Sequence, residues 1–236
     1  MSKRAVILAG GKGTRLLPYT VVLPKPLMPI GEFPILEVIV RQLAQQGFTH
    51  ITMAVNHQAE IIRAFFRDGA KWGVEIDYSL EDKPLSTMGP LRIIQGLPDD
   101  FLVMNGDILS DLDYSGFFEE HVRASRIFTI SAHLREQKVD YGVLEVDVNN
   151  KLIGFKEKPR TGYLVSMGVY MANRCILDSI PEGKSYGFDD LMLDLLAAGK
   201  PAAVRTFDGY WLDIGRPDDY IQAIEEFEKM KPRLLG

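Results

Sequence analysis

The sequence predicts an α/β fold: a mainly parallel sheet with helices on both faces, extended by antiparallel strands. Three observations carry that prediction. Through about the first 125 residues apolar strand runs alternate with helical periodicities, the first strand run ends in a glycine-rich loop, and from about Arg126 strand follows strand. Ala5 to Ala9, "AVILA", is continuously apolar, as a strand covered on both faces must be. The loop after it lies at the strand's C-terminal edge, where open α/β sheets bind ligands. "ILEVIVRQLAQQG" spaces Ile35, Leu36, Ile39, Val40 and Leu43 as a helix ending at Gly47, and "HITMAV" then reads as a strand. "AEIIRAFFRDG" gives a second helix, "VEIDYS" a strand, and "PLRIIQG" a helical turn or two after Gly89; "FLVMNGD" is a strand finishing in Asn-Gly-Asp. "IFTISAHL", "YGVLEVD", "KLIGFKEKP" and "YLVSMGVYMA" are successive strands, the middle two joined by a hairpin turn at Asn149-Asn150. Pro217, with Asp218 and Asp219 behind it, starts a closing helix over 217–230. No repeat, low-complexity stretch or linker interrupts residues 1–236, so one domain is expected.

With 236 residues, 46% of them hydrophobic and 25% charged, the chain can bury a large core without a disulfide or metal staple. The single cysteine, Cys175, excludes an intramolecular disulfide and a Cys-rich zinc site, fits a reducing cytoplasm, and reads as core filler between Arg174 and Ile176. No signal-peptide pattern opens the chain, and no apolar run approaches the roughly 18 residues of a membrane span. A soluble, unexported, cytoplasmic protein with no membrane partner is expected. A net charge of -5 without a Lys/Arg tract argues against nucleic acid, so any phosphate bound should belong to a small molecule. His50, His57, His121 and His133 show no paired metal spacing and read as surface or packing residues.

The loop itself, "LAGGKGTRLLPYTVVLPKPL", fits neither familiar phosphate motif. Lys12 is followed by Gly13 instead of Ser or Thr, which excludes a Walker A loop. Leu16 stands where a dinucleotide fingerprint needs its third glycine, which argues against a nicotinamide oxidoreductase. What remains is a flexible backbone whose N–H groups can wrap a triphosphate, flanked by Arg15, with Lys25 restricted by Pro24 and Pro26. Local physics equally allows a plain tight turn with Lys25 as a solvated charge. Asp107 and Asp213 each end an apolar run, and two such carboxylates suit magnesium; singly, either is better explained as a loop or helix-capping residue than as a metal ligand.

Gly10-Gly11-x-Gly13-Thr14-Arg15-Leu16-x-Pro18-x-Thr20 followed by Pro24-Lys25-Pro26 resembles the signature of the sugar-1-phosphate nucleotidyltransferases. The resemblance continues in order through "EDKPLSTMGPL", "NGD", "YGV", "EKP", "SMGVY" and "YWLDIGRPDDY". It implies a Rossmann-like mixed sheet with a nucleotide-binding part over about 1–125 and a sugar-phosphate-binding part over about 126–215. It also implies a magnesium-dependent reaction in which a nucleoside triphosphate and a sugar 1-phosphate give a nucleotide sugar and pyrophosphate. Arg15 and Lys25 match the family's catalytic cations at the triphosphate, and Leu8, Ala9, Gly10, Gly11, Gly13, Thr14, Glu81, Ser86 and Thr87 its nucleotide contacts. Asn105, Gly142, Glu157, Lys158, Ser166 and Met167 match the sugar-phosphate side, with Lys158 receiving the phosphate, and Asp107 and Asp213 match the metal ligands.

Departures from the pattern bear on specificity. Leu85-Ser86-Thr87-Met88-Gly89 stands where the family commonly has Leu-Gly-Thr-Ala-Gly, so a serine occupies the place of a glycine beside the base. Glu81 can accept from two guanine donors where uracil or thymine offers one, which favours GTP. Ser166 stands at about the place of the family's usual asparagine, which suggests a sugar differing from glucose in hydroxyl pattern or size, while a structural serine fits equally. A nucleotide-sugar-binding regulatory subunit is the alternative, opposed by the retention of Arg15, Lys25, Asp107, Lys158 and Asp213. Homo-oligomer formation is allowed. The chain leaves no room after its last helix for the hexapeptide-repeat β-helix of some relatives, so acyltransferase activity is not expected.

Overall fold

A computed structural model describes residues 3–56 and 58–236. The central sheet is built from β1 (Lys3–Leu8), β4 (Phe48–Val55), β5 (Glu75–Leu80), β6 (Asp100–Asn105), β8 (Phe128–Lys138), β11 (Arg160–Asn173) and β12 (Ala203–Phe207). Their order is β12-β8-β11-β6-β1-β4-β5. β4 and β6 flank β1 in parallel, and β5 extends the parallel set. β11 pairs antiparallel with both β6 and β8, and β12 runs parallel to β8. Three short ladders complete the strands: β2 (Pro29–Ile30) with β3 (Phe33–Pro34), β7 (Ile108–Ser110) with β13 (Trp211–Asp213), and the hairpin β9 (Gly142–Val146) with β10 (Leu152–Glu157).

Helices cover both faces, as the apolar run of β1 requires. Ala5 and Ile7 point to one face and Val6 to the other, all fully buried. The first face is closed by α1 (Ile35–Gln45), α2 (Ala59–Phe66) and α3 (Tyr114–Arg123), whose Leu36, Ile39, Ile62, Phe66 and Phe117 pack with Ile7, Met53 and Met104. On the second, α4 (Phe188–Ala197) brings Leu191 and Leu195 onto Val6, Val103 and Phe128. α5 (Pro217–Leu235) forms a third cluster with the glycine loop, where Phe227 and Ile214 meet Leu16, Met28 and Val38. Among the described residues no helix is long and apolar enough to cross a membrane.

Several elements depart from the sequence reading. The closing helix continues past residue 230 to Leu235, because Leu234 is buried in the third cluster and Gln45 Nε2 donates to Leu235 O at 2.8 Å. Helices α3 and α4 and strand β12 carry no strong pattern: α3 is rich in aromatics with Gly116 inside its first turn, and α4 opens on two aspartates. Local caps start both helices, since Asp113 accepts from Gly116 N and Asp190 accepts from Gly187 N, each at 2.8 Å. Cys175 is exposed, which corrects its reading as core filler; in the 3-10 turn Arg174–Ser179 it is the neighbouring Ile176 that points inward. His57 lies outside the described residues.

Candidate active site

Strand order reverses where β6 lies on the opposite side of β1 from β4, and a crevice opens at such a point. Here it is a cleft of about 530 Å³. Leu8, Ala9, Gly10, Gly11, Gly13, Thr14, Arg15, Lys25, Glu81, Ser86, Thr87, Asn105 and Asp107 all line it. The loop is folded on itself at Gly13, whose φ of 62° is left-handed and whose added Cβ would lie 2.9 Å from Thr20 Cγ2. Thr20 Oγ1 and Leu16 N both donate to Gly13 O, at 2.8 and 2.9 Å, and lock that turn.

The charged centre comes from three distant stretches. Lys25 sits in a 3-10 turn, Lys25–Leu27, entered from extended Pro24, and its side chain is only 10% exposed. Its ammonium donates to Asp107 Oδ2. Asp107 follows β6 and precedes β7; Asp213 ends β13, opposite Ile108, and Ile214 N donates to Asp107 O at 3.1 Å. The β7–β13 ladder thus brings the two carboxylates together. Burial and the negative charge of Asp107 push the Asp213 carboxyl above its ordinary range, against the opposing pull of Lys25 and Arg15. Asp107 Oδ1 is buried with no hydrogen-bond partner among the described residues. A buried, unpartnered acceptor beside a second carboxylate fits a divalent cation. No group of three or more His, Cys, Asp or Glu converges among the described residues, so a divalent ion held here would complete its shell with phosphate oxygens and water.

At the opposite wall, Glu81 is buried, and burial raises its carboxyl above the ordinary range although Leu85 N and Asn56 hydrogen-bond to it. Leu85 N donates to Oε2 at 3.0 Å, while Oε1 lies 3.0 Å from where a Cβ on Gly10 would stand, facing the glycine loop. Thr87 Oγ1 accepts from Phe188 N at 2.8 Å, tying this segment to the start of α4. Ser86 adopts φ 65°, the left-handed region, where a Cβ costs about 1–2 kcal/mol. Ser86→Gly should therefore raise stability by about 0.5–1 kcal/mol after the added chain entropy of glycine, read as a thermal midpoint about 2 °C higher. An unchanged or lower midpoint would show the serine side chain stabilising this turn.

The sugar-phosphate candidates divide. Asn105 ends β6 against Gly168 of β11, next to Ser166 and Met167: Trp211 Nε1, two residues before Asp213, donates to Met167 O at 3.0 Å, and Ser166 Oγ is 3.0 Å from Tyr170 Oη. The β8–β11 register shifts between Ser166 and Tyr170 around Gly168, whose φ of 75° and 2.7 Å approach of Asn105 Nδ2 to an added Cβ leave room for glycine alone. Gly142, Glu157 and Lys158 sit elsewhere. Gly142 opposes Glu157 across the β9–β10 hairpin, and Lys158 follows at φ 44°, 56% exposed and 3.9 Å from Glu157; of the sugar-phosphate and metal candidates only Asn105 and Asp107 line the cleft, while Ser166, Met167 and Asp213 lie outside its lining, as do these three.

Seven lining residues, Lys12, Pro26, Asn56, Pro84, Pro90, Gly106 and Gly215, were not assigned to the site from sequence, and two of them stand out. Asn56 lines it directly after β4, at the C-terminal edge of a parallel strand, and that position was the available signal. Gly215 lines it too, placing the start of α5 against Arg15: a Cβ there would lie 3.6 Å from Arg15 Nη1 and from Asp219 Oδ2. The described histidines stand apart: His50 faces Asp77 at 3.1 Å, His121 is buried against Thr129, and His133 contacts Phe207 O.

The sequence profile of the nucleotidyl transferase family matches residues 4–230. The chain is 38% identical over 241 residues to a UTP–glucose-1-phosphate uridylyltransferase of Synechocystis sp., covering 94% of this chain and 62% of that protein. It is 33% identical over 230 residues to a probable mannose-1-phosphate guanylyltransferase 1 of Oryza sativa subsp. japonica, covering 94% and 63%. It therefore spans a little under two thirds of the length of these relatives. Among solved structures, HddC from Yersinia pseudotuberculosis complexed with GMP-PN superposes with a TM-score of 0.73 at 28% identity, over 95% of this chain and 99% of that one. A putative glucose-1-phosphate thymidylyltransferase from Bacillus anthracis shares the fold, with a TM-score of 0.74 at 24% identity over 95% and 94% of the two chains. With the glycine loop, the paired aspartates and this match over nearly its whole length, the chain belongs to the nucleotidyl transferase family.

Proposed function

We propose that the protein transfers a nucleoside monophosphate from a nucleoside triphosphate to a sugar 1-phosphate, releasing pyrophosphate. The observation that carries this reading is the pairing of Lys25 with Asp107 in the wall of the glycine-loop cleft, with Asp213 brought next to Asp107 by the β7–β13 ladder. We further propose that residues 1–236 act as one domain, with about 1–125 serving the nucleotide, about 126–215 the sugar phosphate, and α5 closing the wall through Gly215.

The chemistry needs little from a general base. A phosphate monoester has its second pKa at about 6, so the attacking oxygen is already anionic near neutrality. The protein must align two anions and neutralise the charge that develops. In this reading the loop from Leu8 to Thr14 offers backbone N–H groups to the triphosphate, with Arg15 and Lys25 as its cations. Asp107 and Asp213 would hold magnesium, which when bound neutralises phosphate charge and orients the reacting oxygens. Asn105, Ser166 and Met167 border the sugar, while Gly142, Glu157 and Lys158 approach its phosphate from the hairpin. Assaying several nucleoside triphosphates against several sugar 1-phosphates, with pyrophosphate as the readout, tests this directly. No pyrophosphate from any combination would favour the regulatory-subunit alternative.

GTP is the favoured triphosphate. Glu81 supports that choice, as does the GMP-PN of HddC. Because Leu85 N–H and Asn56 already hydrogen-bond to Glu81, Glu81→Gln would keep its single oxygen on Leu85 N–H and turn its amide N–H₂ toward Asn56 and the base. Donor would then face donor, so kcat/KM for GTP should fall about tenfold or more while UTP changes little. Equal losses for both triphosphates would remove Glu81 from base selection.

A further inference from the structure

Lys25 has a second role in this geometry. Its ammonium donates to Asp107 Oδ2, and Asp107 is one of the two carboxylates assigned to the metal. The pair is enclosed, with 10% and 21% of the two side chains exposed, so solvent ions screen it poorly. The remaining oxygen, Oδ1, is buried and has no hydrogen-bond partner among the described residues. Asp213, set opposite Ile108 by the β7–β13 ladder, adds a second carboxylate next to Asp107.

We propose that Lys25 is the resident counter-cation of the metal site and makes metal binding conditional on nucleotide. This rests on the assignment of Asp107 and Asp213 to the metal. A divalent ion at either oxygen of Asp107 meets the ammonium on the same carboxylate, and two cations sharing one anion repel each other. A triphosphate removes the conflict. Its oxygens give the Lys25 ammonium a new partner within the same cleft, which frees Asp107 for the metal. Asp107 then has a cation partner in both states, Lys25 before the nucleotide arrives and the metal afterwards. The glycine loop can deliver this exchange because Lys25 Cβ packs against Gly13, 3.1 Å from the place an added Cβ would take, so the lysine stem and the phosphate-wrapping turn are in contact.

The test is direct titration with Mn²⁺, free ion read by electron paramagnetic resonance, on the full chain without nucleotide. Lys25→Met and Lys25→Gln should each bind Mn²⁺ at least tenfold more tightly than wild type, with circular dichroism confirming that at least one of them is folded. Adding Asp107→Asn to the tighter variant should abolish the gain. Equal affinities in wild type and folded variants, with binding still lost on Asp107→Asn, would overturn the counter-cation role and leave the metal assignment standing. Mn²⁺ binding indifferent to Asp107→Asn would overturn the metal assignment and the proposal with it.

Discussion

Asp107→Ala and Asp213→Ala should each lower kcat by about a thousandfold or more at saturating substrates and magnesium, a loss of about 4 kcal/mol of transition-state stabilisation. Removing Asp107 also strands the buried ammonium of Lys25, and an unpaired buried charge destabilises a fold by about 3–5 kcal/mol. Asp107→Asn separates the two effects, because an amide oxygen can still accept from Lys25 while the anion is gone. It should fold and remain inactive. The same centre sets a pH dependence. The Asp213 carboxyl titrates above its ordinary range through burial and Asp107, so as pH falls it takes up a proton earlier than an unperturbed aspartate at about 3.9. Proton and metal then compete, and the acid limb of the rate profile should lie above that value and move downward as magnesium is raised. Full turnover of Asp107→Asn in a chelator would remove the metal assignment.

How much of this was legible beforehand depended on whether a feature is local. The parallel core, the βα units and the ligand edge followed from periodicity, since Ala5–Ile7 and the stripe Ile35, Leu36, Ile39, Val40 and Leu43 are each decided within one turn or one strand. The helices α3 and α4 escaped because their starts depend on caps at Asp113 and Gly187 more than on an apolar stripe. Asp107 and Asp213 could be placed at strand ends, but their adjacency comes from the β7–β13 ladder, whose strands lie in opposite halves of the chain. Ser86 was visible as a departure from a glycine; its left-handed backbone was not, because φ is set by the docking of Leu85–Gly89 against Tyr186. The position of Lys158 was the hardest to read. Its motif is legible, yet it falls at the junction between the β9–β10 hairpin and the first residues of β11, where Arg160 pairs with Lys138, and only that long-range β8–β11 ladder decides how far it stands from the cleft.

The two lysines should therefore separate in kinetics, although composition treats them alike. Lys25 is enclosed beside the glycine loop, and in the proposed reading it faces charge that grows at the α-phosphate and pyrophosphate, so Lys25→Ala should act mainly on kcat, lowering it about a hundredfold or more. Lys158 is exposed, and in the proposed reading it holds the sugar phosphate as a point charge in the ground state as well as the transition state. Lys158→Ala should then raise KM for the sugar 1-phosphate by about tenfold, with kcat and the triphosphate KM nearly unchanged. Exposure argues for the lower end of the range for charge-assisted bonds, because water competes for both partners. Raising ionic strength should erode the wild-type advantage and leave Lys158→Ala nearly insensitive. Steady-state kinetics with each substrate varied in turn decides the matter. An unchanged sugar-phosphate KM in Lys158→Ala would make Lys158 a solvated strand-end charge, and would leave Arg15 and Lys25 as the cations that both substrates share.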